Sequence, residues 1–462
     1  SSIWPLAFPQ TTFANSCRFD DGSTDYLSRT FGTATNTKKF TWSFWVKRTT
    51  LGASQYFFEN VGTHTYQGSI LFDSNDRLQM YDDGLGSGSG MYLITNRKFR
   101  DVSAWYNIVI AVDSTQSTSS DRAKMYVNGE QETSLATSTY PSQNHALPYI
   151  SGSGDACNIG KYDNTNANFD GYLTEVIFVD GQQLTPTSFG ATNPVTNIWE
   201  PIAYTGTYGN NGLKLNFTDS SNLGDDTSGN GNDFTVNNLT SLDQATDTCS
   251  NNFAVLNGLH KVDDWSLAEG NLKFTNNSTG YRMTNSTIAP QTGKWYAEVK
   301  VTTVGGNYSH LGVINPDKFL YNTYLGNTGR GFAYSSEGLK VSGNSGSSYG
   351  NSFTTGDIIG IAMDLDNSKL YFHKNGTYQN SGVPTSGSTG TGSAFDLVSG
   401  EFYSFGLSSL DSGTDPVYEF NFGNPSFSIS SGNADANGFG NFEYAVPSGY
   451  FSLCTKNLAE FG

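Results

Sequence analysis

Charge is scarce in this chain. Lys, Arg, Asp and Glu make up 15% of its 462 residues, against a usual share of roughly 25%. What charge there is runs acidic, to a formal net charge of −17. That argues against an electrostatic nucleic-acid binder, because phosphates would be repelled. Histidine is scarcer still: His64, His145, His260, His310 and His373 stand far apart, and no Gly-x-Ser-x-Gly elbow occurs. Cys17, Cys157, Cys249 and Cys454 are scattered, with no Cys-x-x-Cys, which argues against zinc. A chain of this length does not need disulfide staples, so the four are expected to be unpaired small core residues. No stretch reaches the roughly 18 apolar residues of a membrane span. The opening SSIWPLAFPQTTF has no basic region before a long apolar core, so it does not read as a signal peptide. Helical periodicity is nearly absent. So are coiled-coil heptads, collagen repeats and β-helical repeats, which excludes a long fibre shaft within this sequence.

Aromatics, by contrast, reach 14%, and there are 52 glycines. Many Tyr and Phe among Gly, Asn, Ser and Thr point to short strands joined by many turns. Low charge with abundant aromatics also argues against disorder. Period-2 alternation recurs in FTWSFWVKR (40–48), AKMYVNG (123–129), KWYAEVKVTTV (294–304) and KLYFHKNG (369–376). In the first, Phe40, Trp42, Phe44 and Val46 share one face. Trp45 breaks the alternation, as it would if the other face were covered too.

One pattern occurs twice. NIVIAVDSTQSTSSDRAKMYVNG and GDIIGIAMDLDNSKLYFHKNG each run from an apolar strand through an Asp and a polar loop to an aromatic strand ending at Asn-Gly. Asn-Gly supplies the two positive-φ residues of a tight hairpin. Antiparallel strands at this density bury one face against a second sheet. The expectation is an all-β protein of two antiparallel jelly-roll β-sandwiches in tandem. Their spans are expected at 1–200 and 201–431, the second with an N-terminal extension, and a tail at 432–462 packs back on a domain. The Pro- and Gly-rich ATNPVTNIWEPIAYTGTYGNNG reads as the connection. Both sandwiches should bury their alternating aromatics and present Asn128-Gly129 and Asn375-Gly376 at exposed tips.

The segments FTWSFWVKR, AWYNIVIAVDSTQ, MYVNGEQ and FDGYLTEVIFVDGQQLTP together resemble a laminin-G-like, concanavalin A-type jelly roll. TGKWYAEVKV, HLGVINP, GFAYSSEG, TTGDIIGIAMDLDNSKLYFHKNG and YSFGLSS resemble a SPRY domain. The wording of the first set, the intervening DDTSGNGNDFTVNNLTSLDQATDTCSNNFAVLN and the ending VPSGYFSLCTKNL are similar to structural proteins of marine-type bacteriophages. That resemblance implies a place on the virion surface, in several copies or as a homo-oligomer, among other virion proteins. It does not say which part of the virion.

Jelly rolls of this type include glucanases, which need two carboxylates flanking the scissile bond. No Glu-x-Asp-x-Glu run occurs. The close pair Glu130 and Glu132 reads as a solvated turn beside a hairpin, so no catalytic residue is expected. Laminin-G-like domains often bind calcium at a loop edge. LFDSNDRLQMYDDG offers Asp73, Asp76, Asp82 and Asp83, and LGDDTSGNGNDF offers Asp225, Asp226, Asn230, Asn232 and Asp233. The second is dense in oxygen but lacks EF-hand spacing, and Asp, Asn and Gly also simply make turns. Both readings stand from sequence. Glycan recognition would use exposed aromatics among amides, and the loop at 305–329 carries Tyr308, Tyr321 and Tyr324. The alternative is that these rings pack in the loop's own small core. The function expected is a non-enzymatic virion surface protein, a tail-fibre or tail-tip adhesin for host surface polysaccharide. A capsid-decorating or appendage protein with purely protein–protein contacts is the alternative, and a polysaccharide depolymerase a more distant one. Neither nucleic acid nor membrane insertion is expected.

Overall fold

The computed structural model describes residues 11–60, 67–83, 90–148, 150, 154–162, 167–260, 265–305, 308–320, 322–411 and 413–462. They form a nearly all-β protein whose only α-helix among those residues is Thr455–Phe461. The chain divides into two compact units, Ser1–Ser250 and Asn251–Gly462.

The first unit contains two eight-stranded antiparallel sheets. One runs Glu130–Gln131, Ala123–Val127, Trp105–Asp113, Lys39–Arg48, Gly171–Asp180, Ser16–Phe19 and Gln244–Ala245, with Leu213–Leu215 also paired to Gly171–Asp180. The other runs Leu135–Thr139, Met91–Lys98, Arg77–Asp82, Gly68–Phe72, Gln55–Asn60, Ala156–Ile159, Tyr26–Thr30 and Thr235–Asn237. Alternation fixes which side chains meet between them. Phe40, Trp42, Phe44 and Val46 enter a core with Phe57, Phe58, Met80, Ile110 and Phe178. Trp45 is buried on the opposite face, with Phe13, Trp105, Tyr172 and Ala245. The broken alternation at Trp45 therefore marks a sheet covered on both sides.

Residues 201–250 lie in the first unit, so the boundary falls about fifty residues beyond the one expected at 200/201. Leu213, Leu215, Phe217, Leu223 and Phe234 join its core, and the segment supplies strands to both sheets. A buried ion pair fastens its end: Lys47 Nζ donates to Asp247 at 2.7 Å, and Trp105 Nε1 donates to the same carboxylate at 2.9 Å.

The second unit pairs a sheet of nine strands with one of six. Trp295, Val299, Ile361, Phe372, Phe405, Leu407 and Phe420 sit in the core between them. The tail packs on this unit. Phe451–Ser452 pairs in parallel with Trp295 and Tyr296, and the Asp435 carboxylate accepts from Ser452 and Asn457.

Both Asn-Gly pairs have the positive φ values of a type I′ hairpin: 48° and 83° at Asn128-Gly129, 48° and 80° at Asn375-Gly376. The second pair is exposed, as expected. The first is half-buried, because the Trp199 ring lies over it; a Cβ on Gly129 would come within 2.5 Å of that ring. Cys17, Cys157 and Cys454 are buried and Cys249 is half-buried, all as free thiols.

Trp42 is fully buried. It stacks on Phe178 at 4.5 Å, touches Phe57 and Phe58, and donates its indole N–H to the Ile150 carbonyl at 3.1 Å. Trp42→Ala is expected to destabilise the first unit by about 3–5 kcal/mol, read as a shift in the midpoint of chemical denaturation. An unchanged midpoint would mean that the ring is not packed in this register.

Candidate functional site

The six-stranded sheet of the second unit begins with an edge strand, Tyr281–Asn285, paired to Ser404–Leu410, which in turn pairs with His310–Ile314. This order brings distant rings together. Tyr281 lies 6.2 Å from Tyr308 and 5.3 Å from Tyr324, centroid to centroid, and His310 stacks on Tyr324 at 5.1 Å. Tyr308 is 46% exposed. Tyr324 is half-buried, and its hydroxyl donates to Asn344 Oδ1. Tyr321 lies outside the described residues.

Burial pushes the His310 pKa down to about 4, so the ring is neutral at physiological pH. Its Nδ1 has no hydrogen-bond partner among the described residues. Burial, with the neighbouring tyrosines adding to it, pushes the Tyr281 hydroxyl up to about 12. The cluster is thus an uncharged aromatic surface with one exposed phenol. Such a surface can stack on the apolar face of a sugar ring and hydrogen-bond its hydroxyls. Tyr281 and His310 escaped sequence reasoning. Tyr281 reaches the cluster only through strand pairing, and His310 reads as one more alternating strand residue.

The Asp- and Asn-rich loop has a different character. Asp226 accepts at one carboxylate oxygen from the Lys214 and Ser228 amides, and at the other from the Ser228 hydroxyl and the Asn232 amide. Asp233 accepts from the Asp226 amide. The Asn232 side chain accepts from Arg29 and donates to two carbonyls, and Asn230 donates to the Gly209 and Gly212 carbonyls. Asp225 has its pKa raised, by the little burial it has and by its acidic neighbours. Both Asp226 oxygens, the Asn232 side-chain oxygen and one Asp233 oxygen are thus spent on fastening the turn. Among the described residues no three His, Cys, Asp or Glu side chains are grouped to hold a metal. In the other acidic stretch Asp73 pairs with Arg77, Asp76 with Arg48 and Arg100, and Asp82 accepts from the Ile150 amide, while Asp83 is exposed and accepts from the Gln67 amide.

Three carboxylates are placed where acid–base chemistry could be asked of them. Glu130 is exposed, whereas Glu132 is buried and bridges Arg97 at 2.6 Å, so only the first is the solvated residue the sequence suggested. Burial raises the Glu298 pKa to about 7. Its oxygens accept from the Glu443 and Tyr444 amides and from the Tyr296 hydroxyl. That hydroxyl's one proton is then spent, so at 2.6 Å it accepts from His373 Nε2, while His373 Nδ1 accepts from the Gly376 amide. The tail covers this network, whose visible task is to fasten it.

Residues 21–188 match the family model of the concanavalin A-like lectin/glucanases superfamily, and residues 294–404 match that of the SPRY domain. The chain carries a concanavalin A-like domain and a SPRY domain. Both are of binding type. An 84-residue stretch is 36% identical to the dual specificity protein kinase splA of Dictyostelium discoideum, covering 18% of this chain and 3% of the kinase. A 121-residue stretch is 28% identical to the Ran-binding proteins 9/10 homolog of Drosophila melanogaster, covering 24% of this chain and 12% of that protein. The chain thus spans only a small part of either relative. Among solved structures, the SPRY domain of human HERC1 aligns at 18% identity and a TM-score of 0.27, over 32% of this chain and 87% of that one. A second human SPRY domain aligns at 14% identity and a TM-score of 0.25, over 34% and 94%.

Proposed function

We propose that this chain is a non-enzymatic adhesion protein that binds host-surface glycan from the surface of a bacteriophage virion. The observation that carries the glycan reading is the aromatic cluster of Tyr281, Tyr308 and Tyr324 at the edge of the SPRY domain's six-stranded sheet. Support for the virion setting comes from the resemblance of the linker and C-terminal motifs to phage structural proteins. Loops and edges on a rigid sandwich are where recognition is carried at little cost to the core.

Each stacking ring contributes on the order of 1 kcal/mol. A single site then binds in the millimolar range, about −4 kcal/mol. Useful adhesion follows only from many copies acting together. Multimerised protein on a glycan array is expected to bind host polysaccharide. Tyr308→Ala combined with Tyr324→Ala should reduce that signal at least tenfold with the melting temperature unchanged. Equal binding by the double variant would remove the cluster from the function.

Val195 and Ile198, 90% and 59% exposed, favour a second reading in which the protein only packs on other virion proteins. A virion map with the aromatic cluster buried against another subunit, and no glycan binding at high valency, would establish that reading instead.

A further inference from the structure

The first unit has a cavity of about 410 Å³ on the outer face of its second sheet, within the usual range of small-ligand sites. Strand register builds it. Leu78 and Met80 point to the core, which turns Gln79 and Tyr81 outward on the same strand. Tyr81 pairs across with Tyr92 on one side and Ser69 on the other. Tyr56, two strands away, completes the aromatic lining.

The ring geometry and the charge point to one kind of ligand. Tyr81 and Tyr92 stand at 86° to each other with centroids 6.2 Å apart, and Tyr56 rests against Tyr162 at 4.4 Å. The Tyr81 hydroxyl is already committed, accepting from Ser69 and donating to Gln67 Oε1. What Tyr81 has left to offer is its ring. Asp83 lines the same cavity, and among the described residues no Lys, Arg or His does; Asp82 borders it too, but alternation turns its side chain inward with Leu78 and Met80. Asp82 is held by the Ile150 amide, and Asp83 accepts from the Gln67 amide while remaining exposed and without an ion pair among the described residues. Perpendicular aromatic rings beside one exposed carboxylate complement positive charge, since the ring faces and the acid attract it together. An anionic ligand would be repelled. A neutral polyol would leave the exposed Asp83 carboxylate without a counter-charge.

We propose that this cavity binds an ammonium-bearing ligand, with the tyrosine rings against the cationic head and Asp83 as its counter-ion. Two sources carry that chemistry: the quaternary ammonium of choline and the protonated amine of an unacetylated amino sugar. The assignment goes beyond the glycan reading of the SPRY domain and stands independently of it.

Calorimetric titration of the full chain with choline, glucosamine and N-acetylglucosamine tests the proposal. At least one of the two cations is expected to bind at least tenfold more tightly than neutral N-acetylglucosamine, and more weakly as salt is added. Whichever cation binds more tightly identifies the source. Asp83→Asn should weaken cation binding roughly tenfold without altering the melting temperature, and Tyr92→Leu should do the same through lost ring contact. The paired Tyr308→Ala and Tyr324→Ala variant should leave this binding intact, which separates the present site from the glycan site. N-acetylglucosamine binding as tightly as glucosamine would overturn the proposal in favour of a neutral saccharide site. So would indifference of cation affinity to Asp83→Asn, or no binding of either cation.

Discussion

A fragment ending at residue 200 is expected not to fold, whereas residues 1–250 should fold and melt in one cooperative transition. The segment 201–250 carries Leu213, Leu215, Phe217, Leu223 and Phe234 into the first core, each at most 3% exposed. Large-to-small changes at such positions cost about 2–5 kcal/mol each, and a domain's whole stability is about 5–15 kcal/mol. Deleting all five therefore exceeds what the rest can hold. The deletion also strips strand partners from Gly171–Asp180, Ser16–Phe19 and Tyr26–Thr30. Residues 251–462, with a core of their own, should melt independently. Scanning calorimetry of the three fragments decides the matter. A cooperative transition from residues 1–200 alone would return the boundary to where the sequence placed it.

Replacing Lys47 by Met should destabilise the first unit by about 3–5 kcal/mol, although Met is the better core residue by hydrophobicity. Both Lys47 and Asp247 have fully buried side chains. Losing the ammonium takes away the counter-ion 2.7 Å from the Asp247 carboxylate, and a charge left in a dry site costs far more than the pair contributed. Pairing Lys47→Met with Asp247→Leu should recover a large part of the loss. Recovery would stay incomplete, because Trp105 Nε1 also donates to Asp247 and an orphaned donor costs about 1–3 kcal/mol. Urea denaturation of the two single variants and the double variant gives the coupling. Additive losses would show that the two side chains act separately.

The repeated strand–loop–strand pattern was legible because alternation and Asn-Gly are local signals. Long runs such as Lys39–Arg48 and Lys294–Thr303 declare their periodicity. The segment after residue 200 was not legible. Its strands, Leu213–Leu215, Thr235–Asn237 and Gln244–Ala245, are two or three residues long, too short for any period to register. Their place is set by partners some thirty to more than two hundred residues away. The aromatic cluster was half legible. Tyr308 and Tyr324 stood out as loop tyrosines, while Tyr281 joins them only through the edge strand. Nothing in the sequence revealed the cavity of the first unit, since Tyr56, Tyr81 and Tyr92 come from three strands. The acidic loop stayed open for the opposite reason: its composition suits both an ion and a turn, and only the hydrogen-bond partners show which oxygens the turn uses.

The placement of residues 201–250 also sets a clock for biosynthesis. Thr235–Asn237 closes the edge of one sheet of the first unit, and Gln244–Ala245 closes an edge of the other. Until they leave the ribosome, Tyr26–Thr30 and Ser16–Phe19 each present an unpaired strand edge, the kind of surface that recruits other chains. At about 5–20 residues per second the last fifty residues take roughly 3–10 s. Non-specific collapse of a chain is orders of magnitude faster. The nascent unit therefore waits, compact but with open edges, and its exposure to misassembly is governed by translation speed rather than by its own folding rate.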